Sequence, residues 1–222
     1  MRHRIWVICV AFIGMLALTA CGSTQVAQLS TSLGIAAFEN MGDINQRDVH
    51  VALFVDQKLR ELNLTGEYKF TKFEFPAGEA FTVKLIKALS YNFRRITLLK
   101  SRSASVEPAL DAILEVGVQD AHLSFEINPK WATVDTQSFA RLVVRAELKE
   151  GNRRVIWVGV ARAQGEGGGQ ARGVLQETDA ARQIALGVER AIDSTVADLM
   201  KQMVQSPGMQ QAIREWEKRR KL

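Results

Sequence analysis

His122 stands two residues from Asp120 in a stretch that alternates like a strand, which places both side chains on one side. That spacing suits a metal pair or a general acid–base pair. A zinc centre needs a third ligand to which the sequence does not point, so the plainer reading is a solvated strand face with an ordinary ion pair. Gly165 to Gly173 (GEGGGQARG) follows a strand and precedes a helix, where a phosphate loop would lie. Neither G-x-G-x-x-G nor G-x-x-x-x-G-K-[ST] can be registered on it, and a flexible strand-to-helix connector is expected instead. Ser124, Ser138 and Ser194 lack the G-x-S-x-G elbow of an activated serine. Asp111 and Glu115, near the start of a strand, read as solubilising carboxylates. The chain therefore reads as a non-enzyme without a cofactor or a metal. A more promising group is the row Arg141, Arg145, Glu147, Lys149 with Arg153 and Arg154, which forms the charged outer side of a hairpin. It is a candidate surface for an anionic glycan or lipid, or for a protein partner; the alternative is a plain solvated face.

Reactive thiols are confined to Cys9 and Cys21. Arg2, His3 and Arg4 open the chain, an apolar run from Ile5 to Leu18 follows, and small residues close it, the layout of a secretory signal. The run is shorter than the roughly 20 residues of a membrane-spanning helix, which makes a retained span the second choice. Residues 1–20 are expected to be cleaved, leaving one thiol and no internal disulfide. The stretch Leu18-Thr19-Ala20-Cys21 resembles the lipobox of bacterial lipoproteins. In that family the peptide before the cysteine is removed, and the thiol and the new N-terminus are acylated, palmitate being a typical chain. The resemblance implies that Cys21 ties the protein to a membrane, since two or more acyl chains anchor stably where one does not. Gly22 stands where inner-membrane retention in that family commonly uses Asp, so the periplasmic face of the outer membrane is favoured.

The formal charge of +5 suggests nucleic acid until it is located. Arg2 and Arg4 leave with the signal, and the segment from Ala212 to Leu222 carries five basic residues against two acidic ones. The body between is neutral, which together with export argues against DNA or RNA.

The elements that must hold these residues follow from periodicity. Residues 21–47 are rich in Ser, Thr, Gln, Gly and Asn and read as a lipidated N-terminus with a flexible tether, in which Leu33 to Phe38 has the composition to dock on the body. Val49–Val55 and Tyr68–Phe75 alternate as strands. Phe81, Leu85, Ala88, Leu89 and Phe93 recur at helical spacing, predicting a helix from about Gly78, and Ile96–Leu99 is a short strand after it. Leu114, Val116 and Val118 change parity to Ala121, Leu123 and Phe125, so a one-residue bulge near Gln119-Asp120 is required to keep both sets on one face. Ala140 to Lys149 and Val155 to Ala161 form a hairpin through Glu150-Gly151-Asn152. Thr178 is placed to cap a long helix with the stripe Ile184, Val188, Ile192, Val196, Leu199 and Met203, ended by Ser206-Pro207-Gly208. Residues 206–222 read as a basic tail that frays, or that lies against anionic lipid or peptidoglycan through Trp216 and its neighbours. The expected fold class is α+β: an antiparallel sheet of about five to six strands with two helices packed on one face, in a domain spanning 48–205.

The element order behind the Leu18–Cys21 motif, together with the helix opening Glu177-Thr178-Asp179-Ala180-Ala181-Arg182, is similar to small periplasmic α/β lipoproteins that serve envelope machines. These are the plug of the lipopolysaccharide translocon and the curli and exopolysaccharide-export lipoproteins. The resemblance implies an accessory or docking subunit of an outer-membrane assembly or export complex. A lipid- or glycan-binding carrier is the alternative.

Overall fold

The structure is a computed structural model that describes residues 23–33, 46–101, 110–150, 154–172 and 177–220. The elements are β1 (Ser23–Val26), β2 (Arg47–Val55), α1 (Gln57–Arg60), β3 (Leu64–Tyr68), β4 (Thr71–Phe75), α2 (Ala77–Asn92) and β5 (Phe93–Leu99). The long strands β6 (Ala112–Pro129), β7 (Thr133–Glu150) and β8 (Val155–Arg172) follow, then α3 (Glu177–Gln205) and α4 (Pro207–Arg220). The fold is α+β, with a five-stranded sheet ordered β5-β2-β6-β7-β8 and a separate three-stranded sheet ordered β1-β4-β3. The β6-β7-β8 half of the larger sheet is antiparallel as expected, whereas β2 pairs in parallel with both β5 and β6. Such pairing makes β2 an interior strand: Val51, Ala52 and Leu53, successive residues facing opposite ways, are all fully buried.

α2 and α3 pack against one another and share one core with the sheet. Every member of the α3 stripe from Ile184 to Met203 is buried, as are Phe81, Leu85, Ala88, Leu89 and Phe93. Lys84, 1% exposed, reaches Asp193 at 2.7 Å and ties the two helices together. The bulge required by the parity change is present, because Val118 pairs with Val144 while Asp120 pairs with Val143, leaving Gln119 over.

Four local readings are corrected. Tyr68–Phe75 is not one strand, since the chain turns at Lys69-Phe70 and β3 pairs with β4 as a hairpin. The glycine run is no connector: Gly165 to Gly169 lie inside β8, paired with β7 from Ala140 to Thr136. Gly165 and Gly167 face α3, where a Cβ on Gly165 would stand 2.0 Å from the Gly187 carbonyl oxygen and one on Gly167 would stand 2.3 Å from the Gly187 nitrogen. Bare glycine on both elements lets helix and strand backbones touch. Thr178 lies within α3 rather than capping it. Ser23–Val26, read as tether, is a strand paired in parallel with β4.

The chain after α3 also differs from the expected fraying tail. The Ser206 hydroxyl accepts the Met209 amide at 3.4 Å, and Pro207 occupies the first helical position, a good start for a helix. Met209, Ala212 and Trp216, spaced to share one face, are all buried. Trp216 is fully covered and so cannot also lie against lipid.

Candidate functional site

On β7 the odd positions face away from the helices, because Ala140, Leu142, Val144, Ala146 and Leu148 are buried on the helix side. Arg141, Arg145 and Lys149 therefore do line one outer face, as their alternation requires. Each meets a carboxylate: Arg141 with Asp120 at 3.4 Å, Arg145 with Glu147 at 2.6 Å, and Lys149 with Glu115 at 2.9 Å and Glu147 at 3.1 Å. The hydrogen bond to Glu115 holds the Lys149 ammonium above its ordinary range against the opposing effect of burial, and Lys149 holds the Glu147 carboxyl below its own. The row is thus an alternating network of both signs, without the surplus of positive charge that a polyanion would require. Matched charge patterns of this kind favour specificity and encounter over raw affinity in protein association.

Arg154 belongs to a different cluster. It reaches Glu150 at 3.0 Å and Glu215 at 3.9 Å, while Arg219 reaches Glu150 at 2.7 Å and the Trp216 indole donates to Glu150 at 3.2 Å. Burial of Glu150 disfavours its charge, but the bonds from Trp216 and Arg219 and the nearby guanidinium groups outweigh it and lower its pKa from 4.5. A depressed carboxylate contributes stability that is complete above its unfolded pKa and is lost as pH falls through the folded value. Acidification below about 4 is accordingly expected to loosen α4 from the end of β7 before global unfolding. Hydrogen exchange of residues 207–220 across a pH series checks this, and protection that stays constant while the rest of the fold survives would refute it. Arg153, Cys21 and the cleavage residues Leu18, Thr19 and Ala20 lie outside the described residues, as do the Gly151-Asn152 turn and Gly34 to Phe38.

The candidate catalytic groups do not assemble into a centre. Asp120 is held by Arg141, and His122 is an exposed residue opposite Arg141 in the register. The Asp111 carboxylate accepts the His50 amide at 2.8 Å, and Glu115 accepts Lys149. Ser138 is fully buried and donates to the Ile184 carbonyl at 3.2 Å, a packing role between β7 and α3. Among the described residues no group of three His, Cys, Asp or Glu side chains is placed to hold a metal ion.

One feature was not anticipated from sequence. A cavity of about 420 Å³ opens where α4 meets the ends of α2 and α3 and the start of β2. Phe93, Met203, Met209 and Ile213 supply its apolar lining, and Arg47 and Arg214 its cationic part. Arg47 lies 3.8 Å from Glu217 on the same rim. The spacing of Met209, Ile213 and Trp216 was the available signal, obscured by the surrounding charges of what read as a tail.

These features define an α+β domain with a charge-compensated outer sheet face and a small amphipathic cavity beneath its last helix. The sequence matches no protein-family model and no curated protein. Among solved structures, it pairs with a candidate neuraminyllactose-binding hemagglutinin homologue from Helicobacter pylori at TM-score 0.48 and 10% identity, covering 87% of this chain and 100% of that one. It also pairs with a minor lipoprotein from Acinetobacter baumannii at TM-score 0.35 and 11% identity, over 75% of this chain and 96% of that one. A candidate lipoprotein from Caulobacter crescentus gives TM-score 0.32 and 13% identity, over 64% and 83% respectively. Likenesses this distant carry no functional conclusion. No helix among the described residues is long and apolar enough to cross a membrane.

Proposed function

We propose that this protein is a non-enzymatic lipoprotein of the bacterial envelope, anchored through acylated Cys21 at the periplasmic face of the outer membrane. Its domain serves as an accessory or docking subunit of an assembly or export complex. The observation that carries the reading is the stretch Leu18-Thr19-Ala20-Cys21 behind a short apolar run. The compensated network of Arg141, Arg145, Glu147 and Lys149 gives the domain a surface suited to a protein with a complementary charge pattern. Replacing Cys21 by Ala is expected to move the protein from the membrane pellet to the soluble fraction. Retention in the pellet would defeat the anchor. A gentle-detergent pull-down of full-length protein, with Cys21→Ala beside it, is expected to recover a stoichiometric envelope protein.

A second reading, carriage of a small amphiphile, is favoured by the cavity under α4, whose volume of about 420 Å³ falls in the range of ligand sites. Its apolar floor and arginines suit an acyl chain with an anionic head. Native mass spectrometry should then show a bound lipid that Met203→Trp, which fills the cavity, removes; a ligand-free protein argues against carriage.

A further inference from the structure

β1 begins two residues after Cys21 and is bonded at once into the small sheet. Ser23 pairs with Thr71, its amide donates to the Phe70 carbonyl at 3.1 Å, and the two hydroxyls of Ser23 and Thr71 lie 3.0 Å apart. A residue advances the chain by no more than about 3.8 Å, so the Cys21 backbone lies within about 8 Å of Ser23. Ser23, within that reach of Cys21, is itself held beside the tip of the β3–β4 hairpin.

That tip has features which packing does not explain. Tyr68 pairs with Thr71, leaving a two-residue turn whose first residue, Lys69, has φ 55. Glycine is the usual occupant of such a position, and a lysine there carries a local conformational cost. Phe70, the second residue, is 86% exposed. Lys69 lies over the Tyr68 ring at 5.2 Å, and Lys72 is paired with Glu74 at 2.7 Å with Glu67 nearby. Two lysines and two glutamates cancel, so charge does not distinguish the tip; Trp131 between β6 and β7 projects as well, and what sets Phe70 apart is that its carbonyl is bonded to Ser23, two residues from Cys21.

We propose that Lys69-Phe70 is a membrane-contact point, with Phe70 entering the headgroup–acyl boundary of the same phospholipid bilayer that holds the acyl chains of Cys21. This rests on the lipid-anchor reading and deepens it: the domain lies on the membrane surface, not at the end of a tether. One phenylalanine binds a bilayer too weakly to hold a domain alone. Linked to an anchor by two residues, it faces the bilayer at high effective concentration, and a second point of attachment fixes orientation. The lysine stems can lie along the boundary with their ammonium groups at headgroup level.

The test uses full-length acylated protein in vesicles of phosphatidylethanolamine and phosphatidylglycerol. With Cys9 in the signal and Cys21 acylated, no other thiol exists, so a nitroxide introduced through Phe70→Cys or Gln211→Cys, the latter an exposed site on α4, reports one place. Flotation records attachment, and power-saturation EPR then records accessibility to oxygen and to an aqueous nickel chelate. The expected result is a floating protein whose oxygen-to-nickel ratio is several-fold higher at position 70 than at 211. A nitroxide at Thr24→Cys should likewise shift toward water when Phe70→Ser is added. Protein that floats with position 70 as nickel-accessible as 211, or a Thr24→Cys signal indifferent to Phe70→Ser, overturns the contact and leaves the anchor standing. Protein that does not float overturns the anchor, and the contact with it.

Discussion

Replacing Gly165 by alanine is expected to cost this protein about 3 kcal/mol or more, enough to threaten a fold whose total stability is of order 5–15 kcal/mol. The added methyl would stand 2.0 Å from the Gly187 carbonyl oxygen and 2.3 Å from the Ala191 nitrogen, where ordinary contact begins at 3.4 Å. Both obstacles are helix backbone, which has no rotamer to change. α3 would have to lift by more than 1 Å, the shortfall between those separations and ordinary contact, and lifting it opens gaps along Ile184, Val188 and Ile192, all fully buried beneath it. Gly169→Ala is the internal control. The nearest atoms its Cβ would meet belong to the Gln183 side chain, from 3.0 Å, and a flexible side chain can yield. Urea unfolding should therefore give a much lower midpoint for Gly165→Ala than for Gly169→Ala; equal midpoints would show that α3 does not press on β8 as described.

Trp216→Ala should have an effect of similar size through the opposite mechanism, the opening of a void. Trp216 heads the buried side chains by size and is fully covered, and truncating a buried aromatic costs about 3–5 kcal/mol. The same change removes the indole donor to Glu150, a carboxylate that is already largely desolvated. With Met209, Ala212 and the half-buried Ile213 left on its apolar side, α4 would be held by too little burial to stay docked. Limited proteolysis should then trim the chain from its C-terminus, and the unfolding midpoint should fall. Trp216→Phe keeps most of the burial and should lose much less. An α4 as resistant to protease in Trp216→Ala as in the parent would refute the docking of this helix.

Much of the body was legible before folding. The stripes of α2 and α3, the outward row of β7 and the bulge at Gln119 follow from periodicity, because side chains at fixed spacing share a face whatever they pack against, and α3 ends before Pro207, which cannot continue a helix. The lipobox-like stretch is likewise a property of residue order alone, as is the confinement of cysteine to positions 9 and 21.

Tertiary structure decided the rest, where distant residues changed the meaning of local ones. Glycines that read as a flexible connector became the place where α3 touches β8, a role visible only once Gly187 is known to lie opposite. The charges near the C-terminus obscured Met209, Ala212 and Trp216 until Glu150, distant in sequence, supplied their anchor. The row Arg141, Arg145, Glu147 and Lys149 read as a charged hairpin face open to an anionic glycan or lipid or a protein; only the pairing of strands shows that Asp120 and Glu115 join Glu147 in compensating its cations. Strand order in the larger sheet and the pairing of Ser23 with Thr71 were also beyond local pattern, because hydrogen bonds between remote strands leave no period in the chain. Residue order alone singles out Cys21; the sheet pairs Ser23, two residues further on, with Thr71, next to Phe70.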